Sequence, residues 1–134
     1  MEEILQRSQL VIDRGTHSLD RVDYPDYGAA VGRAVAAGEA DAGVCVCGSG
    51  VGIAMAANKI AGVRAATVHD VTSARLAREH NDANVICFGE RLTGPEVARE
   101  ALEAWLVAEF EGGRHAARVA KLDALAHHSE PTVR

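Results

Sequence analysis

The sequence predicts an α/β domain in which helices cover both faces of a parallel sheet. Three observations carry that reading. Short runs that are apolar throughout alternate with longer stretches of helical period, the pattern of strands buried on both sides. A glycine-rich turn, residues 48–52, stands where one such run hands over to a helix. The chain has 134 residues, 48% apolar and 25% charged, an ordinary globular balance and enough for one core but not two. With 25 alanines and only 4% aromatic residues, that core must rest on small side chains and close backbone approach.

Taken in order, Leu10-Val-Ile-Asp13 reads as a first strand ending at Gly15. Pro25 suits a first helical position and opens a helix through Ala37, with Gly38 as its stop. Gly43–Cys47 is a second strand, and the helix after its glycine turn runs to Lys59. Arg64–Val68 is a third strand, followed by a helix from Val71 to His80. Asn84–Phe88 is a fourth, ending at Gly89. Gly94-Pro95 opens a helix to Phe110 whose apolar face is Val97, Ala101, Leu102, Trp105 and Ala108. A last helix spans Arg114–Ala126, so that residues 1–126 form a single domain and 127–134 a flexible tail. The beginning is unusual: Glu2–Gln6 reads as helix, whereas an open α/β sheet ordinarily starts with a strand.

Several function classes are excluded at this level. A net charge of −5 argues against nucleic acid or an anionic membrane as partner. No window reaches the ~18 consecutive apolar residues of a membrane span, and the acidic opening Met1-Glu2-Glu3 is unlike a secretory signal. The cysteines Cys45, Cys47 and Cys87 are odd in number and form no C-x-x-C pair. An extended i, i+2 pair such as Cys45 and Cys47 is badly placed for a disulfide, so a reducing, cytoplasmic compartment is expected. Their spacing fits no zinc pattern and no His-x₃-His pair accompanies them, so no metal site is expected.

Cys47-Gly-Ser-Gly-Val-Gly52 is the segment that carries chemistry. A strand-to-helix turn of this kind gathers unpaired N–H groups at the positive end of a helix dipole, which suits an anion or a developing oxyanion. It also favours the thiolate of Cys47, at the strand edge where open parallel sheets bind ligands. Cys45 and Cys87 read as buried structural cysteines. Nucleotide readings fail on detail. The dinucleotide pattern G-x-G-x-x-G/A, started at Gly48 or at Gly50, meets Ile53 or Met55 at its last position, and no Lys-Ser/Thr pair follows the loop.

These residues also carry a family resemblance. The run Cys47–Lys59, then Gly62-Val-Arg64, Arg78-Glu-His-Asn-Asp82, Gly112-Gly-Arg-His115 and Asp23-Tyr24-Pro25 resemble, in order, ribose-5-phosphate isomerase type B. That family includes the galactose-6-phosphate isomerase subunits, and the likeness runs from about Leu5 to Ala126. The resemblance implies a three-layer, Rossmann- or flavodoxin-like sheet and a cofactor-free interconversion of an aldose phosphate with its ketose, the pair being ribose 5-phosphate and ribulose 5-phosphate. The alternatives are galactose 6-phosphate, allose 6-phosphate or a tetrulose phosphate as substrate, or a truncated, non-catalytic sugar-phosphate-binding paralogue. It also implies a homodimer or tetramer with shared active sites.

Such a reaction passes through an enediolate and needs a base and a pocket for negative oxygen. By resemblance Cys47 is the base, and the amides of Gly48, Ser49, Gly50, Val51 and Gly52 receive the oxyanion. Some members carry a carboxylate base a few residues later, where this chain has Ile53, so it is of the cysteine type. His80 and Asn81 match the second catalytic motif, in which the histidine opens the sugar ring with Ser49 nearby. Arg114 and Arg118, one helical turn apart, match the arginines that grip the phosphate, with Arg91 as a further contact and Tyr24 lining the sugar pocket.

Topology adds an expectation about assembly. Cys47 closes a strand, whereas His80 closes a helix of about ten residues, roughly 15 Å long. The two should lie at opposite edges of one subunit, so His80 is expected to reach Cys47 from a second chain. The chain also departs from the family, whose members begin with a strand and an Asp-His pair that this sequence lacks. A gap or a re-paired edge in a four-stranded sheet is therefore expected. A start placed too far downstream explains the departure more simply than a shortened, impaired paralogue, because unpaired strands are costly.

Overall fold

The computed structural model describes residues 10–127. Helix α1 (Tyr24–Ala36) leads to strand β1 (Gly43–Cys47), helix α2 (Val51–Asn58) and strand β2 (Ala65–Thr67). Helix α3 (Val71–Asn81), strand β3 (Val85–Gly89), helix α4 (Pro95–Val107) and helix α5 (Arg114–His127) complete it. The sheet is parallel, in the order β1-β3-β2. The α/β architecture expected from the alternation of apolar runs is thus present.

The sheet divides the core into two layers, and the central strand shows why. All five residues of β3 are buried, and their side chains alternate across the sheet. Ile86 and Phe88 join Ala74, Ala77, Ala98, Leu102 and Trp105 on the face covered by α3 and α4. Val85 and Cys87 join Cys45, Ile53, Ala54 and Ala57 on the face covered by α1 and α2. Small residues let the layers close. A Cβ on Gly28 of α1 would stand 2.7 Å from the Ile53 carbonyl oxygen of α2, so these helices meet backbone to backbone there. Trp105, fully buried, donates its indole N–H to the Ala83 carbonyl at 3.1 Å and lies 5.2 Å under the Arg78 guanidinium.

The expected first strand is not there. Leu10–Asp13 has no strand pairing, with Leu10 95% exposed. A strand exists only through a neighbour's backbone groups, and none borders this segment among the described residues. β1 is consequently an edge strand with Val46 half-exposed. Beside it opens a slot of about 1040 Å³, walled by Val31 and Val35 of α1 on one side and Trp105 and Leu106 on the other. The sheet thus has three contiguous strands among the described residues, not the four expected, and the slot lies outside its edge rather than as a gap within it.

Smaller differences have local causes. The third and fourth strands are Ala65–Thr67 and Val85–Gly89 rather than 64–68 and 84–88. Asn84 stays outside because it braces the junction, accepting from the Arg64 amide at 2.7 Å and donating to the Gly62 carbonyl at 2.9 Å. α4 stops at Val107, not Phe110, because Ala108 turns extended (φ −68°, ψ 149°) and the Glu111 amide donates to the Glu79 carbonyl at 3.0 Å. On that helix Ala98 is buried and Val97 is 43% exposed, a shift of the apolar face by one position. The proposed helix at 2–6 and most of the proposed tail lie outside the described residues. No helix among the described residues is long and apolar enough to cross a membrane.

Candidate active site

The glycine turn is built against the end of β3. Gly50 adopts φ 75°, ψ −5°, a left-handed conformation that glycine alone accepts without strain. A Cβ there would meet the Phe88 carbonyl carbon at 2.8 Å, and one on Gly89 would meet the Ser49 backbone at 2.5 Å. Two further bonds lock the strand ends: the amides of Glu90 and Arg91 donate to the carbonyls of Cys47 and Gly48 at 2.9 and 3.0 Å. The Thr67 hydroxyl donates to the Gly50 carbonyl at 2.7 Å. Thr67 carries no sequence signal of this role; only the pairing of β2 with β3 brings it to the turn.

Cys47 sits at the mouth of this turn. Its Sγ accepts a hydrogen bond from the Gly50 amide at 3.1 Å, half-buried and bordering the slot. The Ser49 hydroxyl, exposed, accepts from the Val51 amide at 3.2 Å. Two of the other residues singled out by sequence converge here. The Tyr24 ring lies so close over Gly52 that a Cβ there would stand 2.5 Å from it. The Arg91 side chain lies along Gly48, 3.6–3.8 Å from the place of its missing Cβ. Polar amides, a thiol, a phenol and a guanidinium thus share one end of the sheet.

The other cysteines differ. Cys45 and Cys87 are buried, opposite one another on β1 and β3. The hydrogen bond that Cys87 shares with Cys45, reinforced by burial, pushes the Cys87 thiol far above the ordinary range. All three are free. A thiol reagent applied to native protein should therefore modify Cys47 first, with Cys45 and Cys87 reacting only on unfolding. Peptide mapping after brief alkylation checks this, and equal labelling of Cys87 would contradict it.

A second cluster lies at the opposite end. His80 of α3 stacks on His115 of α5, ring centroids 4.3 Å apart and planes 12° from parallel. His80 Nε2 is 3.8 Å from Glu111 Oε1. His115 is buried, and burial, with help from His80 and Arg114, lowers its pKa. Arg114 and Arg118 are exposed on the same helix, and Asn81 is exposed at the end of α3. Arg78 and Asp82 of the same motif are structural: they pair at 2.8 Å, and Arg64 bonds both the Asp82 carbonyl and Asp123 at 3.0 Å. That network ties the end of α3 to α5. His115 closes the motif Gly112-Gly-Arg-His115 with no role evident from sequence, and Glu111 carries no sequence signal at all.

The two clusters do not meet within one chain. Cys47 aligns with Gly89 at the far end of β3, whereas His80 precedes Val85 at its near end. Five residues of strand put roughly 13 Å between those ends.

Comparison with known proteins completes the picture. The model of the Ribose/Galactose Isomerase family matches residues 1–122. The chain belongs to that family. It is 50% identical over 122 residues to ribose-5-phosphate isomerase B of Escherichia coli (strain K12), covering 91% of this chain and 82% of that one. It is 44% identical over 107 residues to D-erythrulose-4-phosphate isomerase of Pectobacterium atrosepticum, covering 80% and 70%. The structure of ribose-5-phosphate isomerase B from Clostridium thermocellum superposes with a TM-score of 0.91 at 48% identity, covering 94% of this chain and 85% of that one. The fold is accordingly the Rossmann-like one of these isomerases, and the chain is an aldose–ketose isomerase of sugar phosphates.

Proposed function

We propose that this isomerase interconverts ribose 5-phosphate and ribulose 5-phosphate, with the Cys47 thiolate as base. The observation that carries the reading is the Cys47 sulfur itself: half-buried, held by the Gly50 amide and bordering a cavity at the sheet's edge. In the open-chain aldose the thiolate removes the proton from C2. The electron pair moves into a C1–C2 double bond, and the carbonyl oxygen on C1 becomes the enediolate oxyanion. Amides of the turn 48–52 stabilise that charge. The C2 hydroxyl then passes its proton to the C1 oxyanion, the carbonyl forms at C2, and the double-bond electrons take the proton back from Cys47 onto C1.

His80 opens the furanose by moving a proton between the C1 hydroxyl and the ring oxygen, with Ser49 close to the same oxygen and Asn81 contacting the sugar. Arg114 and Arg118 grip the phosphate, Arg91 adds a positive contact at the turn, and Tyr24 closes the pocket over Gly52. Because Cys47 and His80 lie at opposite ends of one chain, the working site takes His80 and its arginines from a second copy. The three free cysteines support a reducing cytoplasmic setting.

The identity to a relative named for a tetrulose phosphate makes sugar length the open variable. Incubation with ribose 5-phosphate should give ribulose 5-phosphate, and faster than D-erythrulose 4-phosphate or galactose 6-phosphate is converted. A higher kcat/KM on either of those sugars rejects the pentose assignment, and no turnover of any of the three rejects activity in this chain.

A further inference from the structure

We propose that His80, Glu111 and His115 form a binding site for a borderline divalent cation such as Zn²⁺, and that occupancy of this site inhibits the enzyme. The site comes from three separate segments: the end of α3, the connection after α4 and the first turn of α5. Gly112 and Gly113 both take positive φ, 65° and 54°, which folds the connection back on α3. The Glu111 amide is held by the Glu79 carbonyl at 3.0 Å, and the His115 amide by the Gly112 carbonyl at 3.0 Å. Backbone bonds thus fix where the Glu111 and His115 side chains start, and α3 fixes His80.

The donor atoms, one from each residue, lie within 4.8 Å of one another. Tetrahedral zinc at ~2.0–2.1 Å from each ligand separates its donors by about 3.3 Å, so binding requires the His80 ring to rotate out of its stack on His115 as the donors close by about 1.5 Å. Two imidazoles and one carboxylate suit zinc, cobalt or nickel rather than magnesium or calcium, which take oxygen donors. Three protein ligands leave a fourth position for water. The neighbouring Arg114 and Arg118 oppose a cation, so binding is expected to be reversible rather than structural. His115 is buried and Glu111 exposed, which leaves the carboxylate side as the entry path.

The consequence for turnover rests on the reading of His80 as the ring-opening group: a metal on its Nε2 takes the lone pair that moves the proton. Binding itself does not rest on that reading, and the test separates the two. Apo protein, prepared in EDTA and freed of it, is titrated with Co²⁺ in the absence of substrate. The expected result is one equivalent per chain with the intense visible absorption of a four-coordinate site, displaced by Zn²⁺. Glu111→Gln and His115→Gln should each weaken it by at least about tenfold, since even outer-shell partners are worth that much. Cys47→Ser should leave it intact.

The assignment is overturned by an absence of saturable binding, by full affinity in both Glu111→Gln and His115→Gln, or by loss in Cys47→Ser. In turnover assays Zn²⁺ should inhibit the native protein and EDTA should restore it, with Glu111→Gln requiring about tenfold more metal. Equal inhibition of Glu111→Gln would place the inhibitory metal elsewhere. A protein that binds Co²⁺ through these residues yet converts no sugar phosphate would refute the isomerase assignment while leaving the site standing.

Discussion

Replacing Cys47 by alanine should lower kcat for aldose-to-ketose conversion by about 10²–10⁴-fold, the range a positioned general base supplies. The fold should survive, because the sulfur is half-buried and its described bond is the one from the Gly50 amide. Gly50 is held independently by Thr67, and the turn by close packing of Gly50 and Gly89 on neighbouring backbone. KM should change little, since the phosphate contacts are assigned to other residues, and a loss confined to kcat marks an interaction made only in the transition state. Cys47→Ser, with a far weaker base of similar size, should behave like the alanine variant. Steady-state kinetics beside a circular-dichroism melt decide the matter. Activity within about tenfold of native in Cys47→Ala would remove the thiol from the chemistry.

Mixing two dead variants should restore activity. Cys47→Ala and His80→Asn are each expected to be nearly inert. If each active site joins Cys47 of one copy to His80 of the other, a mixed dimer contains one intact site and one doubly impaired site. Random pairing makes half the dimers mixed, so about a quarter of native activity should appear after co-refolding. The expectation follows from the sheet. Cys47 and Gly89 close one end of the paired strands, while His80 ends the helix that leads into the other. No side chain of either residue spans a five-residue strand. Restoration that fails although native gels show mixed dimers would mean that each chain carries a complete site of its own.

Much of the fold was legible because β3 and β1 are short, apolar on both faces and punctuated by glycine. The Cys47 turn was legible for a related reason. Gly50 needs positive φ, and Gly52 needs room for the Tyr24 ring, so backbone geometry writes itself directly into residue type. The strand read at Leu10–Asp13 failed because an apolar run shows what a segment would bury, not whether a neighbour exists to pair with it. α4 ended early for a similar reason. The bond from Glu111 to Glu79 lies between residues far apart in sequence, and local propensity carries no record of it.

The sequence alone determined the alternation of strands and helices from Tyr24 onward and the place of the glycine turn between β1 and α2, since each depends on residues close along the chain. Tertiary structure decided what depends on distance across the chain. It brought Arg91 and Tyr24 to the turn and stacked His115 on His80 with Glu111 beside them. It also left β1 at the edge of the sheet. The physical reason is that periodicity and turn chemistry are set by neighbouring dihedrals, whereas a site is set by how packed layers bring remote residues into register.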